Sequence, residues 1–288
     1  MRIGTRIALA ACVALGALTP ASANHSWGNY HWARTANPLV LRINTILTGS
    51  WGSYLGTAIG QWDQSAVLGF TSPRLNPISG SARKCNPRAG QIVVCNATYG
   101  QRGWLGIASI WANGDHITQG TTKLNDTYFN MARYNTPAWR AMVACQEVGH
   151  DFGLDHQDEN FGNTNLGTCM DYTNDPAGTA GTNGTKANTA PNAHDYDQLA
   201  AIYAHLDSTN TATTGAAATN FGLRQPGRRV PQGTSDAGVG DTIAEWGQAI
   251  HRDGKGRPDV FIRRHRDGRD VITHVFWAPD AKGTEASD

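Results

Sequence analysis

The chain has 288 residues, a formal net charge of +1, 16% charged residues and 33 glycines. Balanced charge excludes the broad basic field of a nucleic-acid-binding domain and any acidic tail. The composition is that of a loop-rich globular protein, and the length suits one sizeable domain with additions.

Residues 1–23 read as a signal peptide. Arg2 and Arg6 supply the positive start, Ile7 to Leu18 an apolar run too short to span a bilayer, and Ala21-Ser22-Ala23 a cleavage site. The expectation is a secreted protein whose mature chain begins at Asn24. Leu9-Ala10-Ala11-Cys12 also resembles a lipobox, which gives lipid anchoring through Cys12 as the alternative. No other segment is apolar enough for a stable membrane span.

After an aromatic arm over 24–32, Leu39 to Asn44 reads as a strand and Trp51 to Leu68 as a helix. In that helix Tyr54, Leu55, Ala58, Ile59, Trp62 and Ala66 recur at helical spacing. Thr71 to Arg88 reads as loop and Gln91 to Cys95 as a short strand. Gly103 to Trp111 and His116 to Leu124 form a hairpin across Asn113-Gly114. Thr136-Pro137 opens a helix that runs through Phe152, and Gly153 ends it. Thr173 to Asn192 has almost no apolar residues and reads as a long surface loop; Ala193 to Leu206 is a helix capped by Asn192. Residues 208–240 form a Thr/Ala/Gly/Pro-rich linker. Residues 241–288 form a small C-terminal extension, with a helix within Asp241 to Ile250 and a hairpin around Arg266-Asp267-Gly268-Arg269. One hairpin is not stable alone, so the extension packs on the domain of 24–207.

Four cysteines remain after residue 23, and an even count in an exported chain points to two disulfides. Cys85 and Cys95 flank a short loop and are the natural local pair, which leaves Cys145 with Cys169; four buried thiols are the alternative.

The chemistry concentrates in Gln146-Glu147-Val148-Gly149-His150-Asp151-Phe152-Gly153-Leu154-Asp155-His156. Residues 146 and 150 project from one face of a helix, so both can reach one metal ion. Glu147 lies beside them, placed to take a proton from a metal-activated water. Gly153 lets the chain turn back, and His156 arrives as a further ligand. A catalytic zinc site needs three protein ligands and an open position.

This stretch resembles the H-E-x-x-H-x-x-G-x-x-H signature of the metzincin metalloproteases over all defined positions but the first, where Gln146 stands for His. Cys169-Met170-Asp171-Tyr172 resembles the tight turn with Met that lies beneath the metal in that family. The resemblance covers roughly Leu39 to Leu206. It implies an α+β, zincin-like fold: a small mixed sheet with two long helices, the second bearing the motif, then the Met-turn and a C-terminal helix. It implies Zn2+ held by His150, His156 and Gln146, with Glu147 as general base and Tyr172 assisting the oxyanion. Met170 and Gly153 are structural in this reading, and Cys145–Cys169 ties the motif helix to the floor of the site.

The implied activity is a secreted endopeptidase, expected as a monomer acting on protein or peptide substrates. A non-catalytic secreted binding protein with an impaired metal site is the alternative. Substrate is expected to pair with an exposed edge strand, for which Gly103 to Trp111 is the candidate. His25, His31, His116, His194, His205, His251, His265 and His274 have no partner at ligand spacing and read as surface or structural residues.

Overall fold

The computed structural model describes residues 24–214 and 238–280. The signal peptide, Cys12, most of the 208–240 linker and the last eight residues lie outside the described part.

The fold is α+β, with one large mixed sheet and few helices. Strands β1 (His31–Trp32), β2 (Leu39–Ile46), β3 (Leu68–Pro77), β4 (Ile92–Ala97), β5 (Trp104–Asn113) and β6 (His116–Asn125) come from the main part of the chain. Strands β7 (Gln248–Arg252), β8 (Pro258–Arg264) and β9 (Asp270–Trp277) come from the C-terminal extension. The sheet order is β3-β2-β4-β6-β5-β9-β8-β7, with β1 paired to β6. Neighbours from β3 to β6 are parallel, and those from β6 to β7 are antiparallel.

Two helices pack together against this sheet. The first, α1 (Trp51–Trp62), buries Trp51, Leu55, Ala58, Ile59 and Trp62, a 3.6-residue stripe that the sequence spacing predicts. It stops at Trp62 rather than Leu68 because Leu68–Pro77 is drawn out as strand β3. The prolines in β3 are tolerated because it is the edge strand of the sheet, where a missing N–H breaks no inner ladder. After α2 (Asp126–Phe129) comes α3 (Pro137–His150). Thr136 caps α3 by accepting from Trp139 N at 3.3 Å, and Pro137 sits in its first turn.

Gly153 closes α3. Leu154 N donates to Gly149 O (3.3 Å) and Gly153 N to His150 O (2.9 Å), the paired bonds of a Schellman turn. Gly153 has φ +94°, and a Cβ there would lie 2.3 Å from Tyr30 O. Gly153→Ala is therefore expected to cost about 1–3 kcal/mol for the backbone alone, more with the clash, read as a drop in the urea midpoint.

The remaining helices are α4 (Ala193–Ile202), with a full capping box from Asn192 and Asp195, and α5 (Ile243–Trp246), shorter than the 241–250 segment allows because 248–252 enters the sheet as β7. Both disulfides pair as expected, Cys85–Cys95 and Cys145–Cys169.

Three expectations need correction. The sheet is not small: among the described residues it has nine strands, because the C-terminal extension adds three to those of the main part. The 173–192 stretch is not a loose surface loop. Buried Asn side chains replace the missing apolar core: Asn165 Nδ2 donates to Asp175 O (2.8 Å), Asn183 Nδ2 to Phe161 O (3.0 Å) and Asn188 Nδ2 to Asp171 Oδ2 (2.7 Å). Nor is β5 an open edge. It is paired on one side with β6 and on the other with β9, from Trp104↔Trp277 to Ala112↔Asp270. The C-terminal hairpin is part of the main sheet, and Ile272, Phe276 and Val260 join one core with Trp139, Val143 and Val148 of α3.

Candidate metal centre

Helix α3 sets Glu147 against Gly106 of β5 and His150 against His274 of β9; the Schellman turn then swings His156 back toward His150. Both imidazoles are buried, as is Glu147. The third nitrogen donor comes from β9. His274, paired in register with Ala108 of β5, is 1% exposed. Together with His150 and His156 it offers three ligand atoms within 4.8 Å of one another.

Each imidazole has one nitrogen engaged and one free. His150 Nδ1 donates to Leu154 O at 2.8 Å, a carbonyl that the turn at Gly153 aims at it. His156 Nδ1 lies 3.3 Å from Glu159 Oε1, and His274 Nε2 lies 3.0 Å from Tyr172 Oη. The other nitrogens, His150 Nε2, His156 Nε2 and His274 Nδ1, are buried without a hydrogen-bond partner, and so are both oxygens of Glu147 and Oε1 of Gln146; within the group, His274 Nδ1 lies 3.9 Å from Glu147 Oε2. Buried polar atoms are ordinarily satisfied, and six orphans on one group of side chains mark a place built for something these residues bind. Three imidazoles with outer hydrogen bonds that fix the free nitrogen are what a transition-metal ion takes.

The electrostatics agree. Burial, with His156 nearby, pushes His150 well below its ordinary pKa, and burial with His150 nearby does the same to His274. Both are neutral, the form that coordinates. For His156 burial lowers the pKa, but the hydrogen bond it donates to Glu159 and the Asp155 carboxylate outweigh it and raise the group. Burial, reinforced by Asp151, pushes Glu147 well above the usual carboxylate range. Asp151 itself is held by Thr122 Oγ1, which donates to it at 2.9 Å.

The C-terminal extension also builds the outer layer. His251 of β7 lies 3.7 Å from Glu159 Oε2 and 2.9 Å from Asp259 Oδ1 of β8, so the carboxylate that orients His156 is itself held from the tail.

The other residues singled out from sequence fall around this group. Gln146 Nε2 donates to Cys169 O at 2.8 Å, which couples the helix to the Cys169–Met170 segment alongside the disulfide. Met170 lies under α3, where a Cβ on Gly149 would come within 2.7 Å of its sulfur. Tyr172 packs at a tilt against His156, with ring centroids 4.2 Å apart, and its hydroxyl lies 3.0 Å from His274 Nε2. Tyr172→Phe is expected to weaken metal binding by about 10–100-fold through loss of that orienting contact, measured as a zinc dissociation constant by competition with a chelator.

His274 is the residue that linear spacing missed. It stands far from the motif in sequence, and only the pairing of β9 with β5 brings it in. Compared with known proteins, the chain matches no protein-family model and no curated sequence.

Proposed function

We propose that the chain is an exported zinc-dependent endopeptidase of the metzincin type, acting on protein or peptide substrates, in which His274 takes the ligand place that Gln146 leaves. The observation that carries this reading is the group of orphaned atoms: three imidazole nitrogens beside a carboxylate that has no hydrogen-bond partner among the described residues. The Gly153 turn and the Met170 contact under α3 support it, and two disulfides suit an oxidising compartment. Among the described residues no helix is long and apolar enough to cross a membrane.

Zinc, when bound, supplies Lewis-acid polarisation of a substrate carbonyl and of water. The protein's own residues do the rest. Glu147, whose oxygens have no hydrogen-bond partner among the described residues, accepts the proton of the attacking water and passes it to the leaving amine. Tyr172 holds His274 in orientation.

The same geometry makes the described conformation a closed one. Glu147 and the three imidazoles are covered, and β9 pairs along the side of β5 where a substrate strand would lie. Substrate access requires part of this cover to open around the three imidazoles. A second reading, a metal-binding but non-catalytic secreted protein, is favoured by this same coverage.

Zinc content of the purified mature chain, with casein hydrolysis of wild type beside Glu147→Ala, separates the two. The expected result is bound zinc, and hydrolysis that Glu147→Ala abolishes. A chain that binds no zinc, or hydrolysis that survives the substitution, overturns the proposal. Zinc without hydrolysis leaves the binding reading.

A further inference from the structure

A second group of histidines lies away from the centre just described. Strand β1 pairs in parallel with β6 in the register His31↔His116, which sets those two side chains next to each other. Beyond α4 the chain returns along β1. Asp207 N donates to Arg34 O (2.7 Å) and Arg34 N donates to Asp207 Oδ2 (2.9 Å), so the carboxylate is fixed by backbone on one oxygen. Its other oxygen, Oδ1, faces three imidazoles: His116 Nε2 at 3.2 Å, His31 Nε2 at 3.6 Å and His205 Nε2 at 3.6 Å. His205 Nε2 is in turn 3.3 Å from His31 Nε2.

These separations have a meaning in coordination geometry. Zinc binds imidazole nitrogen at about 2.0–2.1 Å and carboxylate oxygen at about 2.0–2.2 Å, and two ligands of a tetrahedron with such bonds lie about 3.3–3.5 Å apart. These four separations centre on that value, and His31, His116 and Asp207 offer ligand atoms that all lie within 4.8 Å of one another. Ordinary hydrogen bonds explain them less well, because three are longer than the N–H···O range of 2.7–3.2 Å. The outer contacts also fit. His31 Nδ1 lies 2.8 Å from Asn29 O, which leaves Nε2 as the lone-pair nitrogen. Asp207 is almost fully covered, whereas His205 and His116 are partly open to solvent, which leaves an ion a way in.

We propose that His31, His116 and Asp207 form the core of a second, structural metal site for a zinc-like divalent ion, with the exposed His205 beside them as the fourth ligand. The ion would staple three separate pieces of chain: the N-terminal arm at β1, the turn between β5 and β6, and the segment that follows α4. The same pieces support the end of the motif helix. Trp32 Nε1 donates to Asp151 O (2.8 Å), and Tyr203 Oη donates to Phe152 O (2.9 Å).

The test is zinc stoichiometry of the full mature chain, equilibrated in a buffer of fixed free zinc and read by mass spectrometry, in wild type, His116→Gln, His205→Gln and His274→Ala. The two glutamine substitutions fall at partly exposed positions and should leave the fold intact. The expected result is two zinc ions in wild type and one in each variant. Cobalt loaded into His274→Ala should give the intense visible bands of a tetrahedral site, and His205→Gln added to that chain should remove them. Two ions that persist in both His116→Gln and His205→Gln overturn the proposal, as does a single ion lost only in His274→Ala. A single ion lost in His116→Gln and retained in His274→Ala supports the second site while removing the metal centre at α3.

Discussion

His274→Ala is expected to raise the zinc dissociation constant of the α3 centre by at least about 100-fold, the upper range for losing even an outer contact of a metal ligand. The substitution takes away one of three imidazole donors and leaves His150 and His156 with the carboxamide of Gln146. A neutral amide oxygen is a poor donor to zinc beside an imidazole. Gln146→His alone should change the affinity little, since three imidazoles already converge. In the His274→Ala background the same change should recover much of the loss, because an imidazole at 146 returns the third nitrogen donor from the helix itself. Non-additivity of this kind marks two residues that serve one site. Equal effects of Gln146→His in both backgrounds would show that positions 146 and 274 do not substitute for one another. If His274→Ala binds zinc as tightly as wild type, His274 is not a ligand.

This pair of positions also shows where the sequence was legible. The motif helix was readable because its signals are local: a capping Thr136, Pro137 in the first turn, an i,i+4 pair of donors, and a glycine that alone tolerates φ +94° against the Tyr30 carbonyl. The Asn113-Gly114 hairpin and the two disulfides were readable for the same reason. What was not readable depends on pairing between distant strands. Nothing near residue 274 announces a ligand; its place beside His150 and His156 follows from the register that sets it opposite Ala108. His31 and His116 become neighbours through one register step of a two-residue strand. The strand at 68–77 was hidden by its prolines, and the 173–192 segment by an asparagine network that mimics loop composition while acting as core.

Glu147→Gln separates binding from chemistry. The side chains are nearly isosteric, and Glu147 is not among the three imidazole donors, so the variant should hold zinc as wild type does. Hydrolysis should fall by about 10²–10⁴-fold, the range for loss of a general base. The packing around the residue makes this a clean substitution. Gly106 of β5 leaves room for the carboxylate, since a Cβ there would stand 2.7 Å from Glu147 Cγ and Oε1, and an amide of the same shape fits the same space. Burial already disfavours the charged form of Glu147 in the metal-free chain, so the neutral amide should leave the unfolding midpoint in chelator unchanged or slightly raised. Loss of zinc together with activity would mean that the carboxylate is a ligand rather than a base. Retained zinc with unchanged hydrolysis would move the catalytic role away from α3. Only retained zinc with lost hydrolysis agrees with a carboxylate whose two oxygens have no hydrogen-bond partner in the described residues and which acts on the water of the reaction.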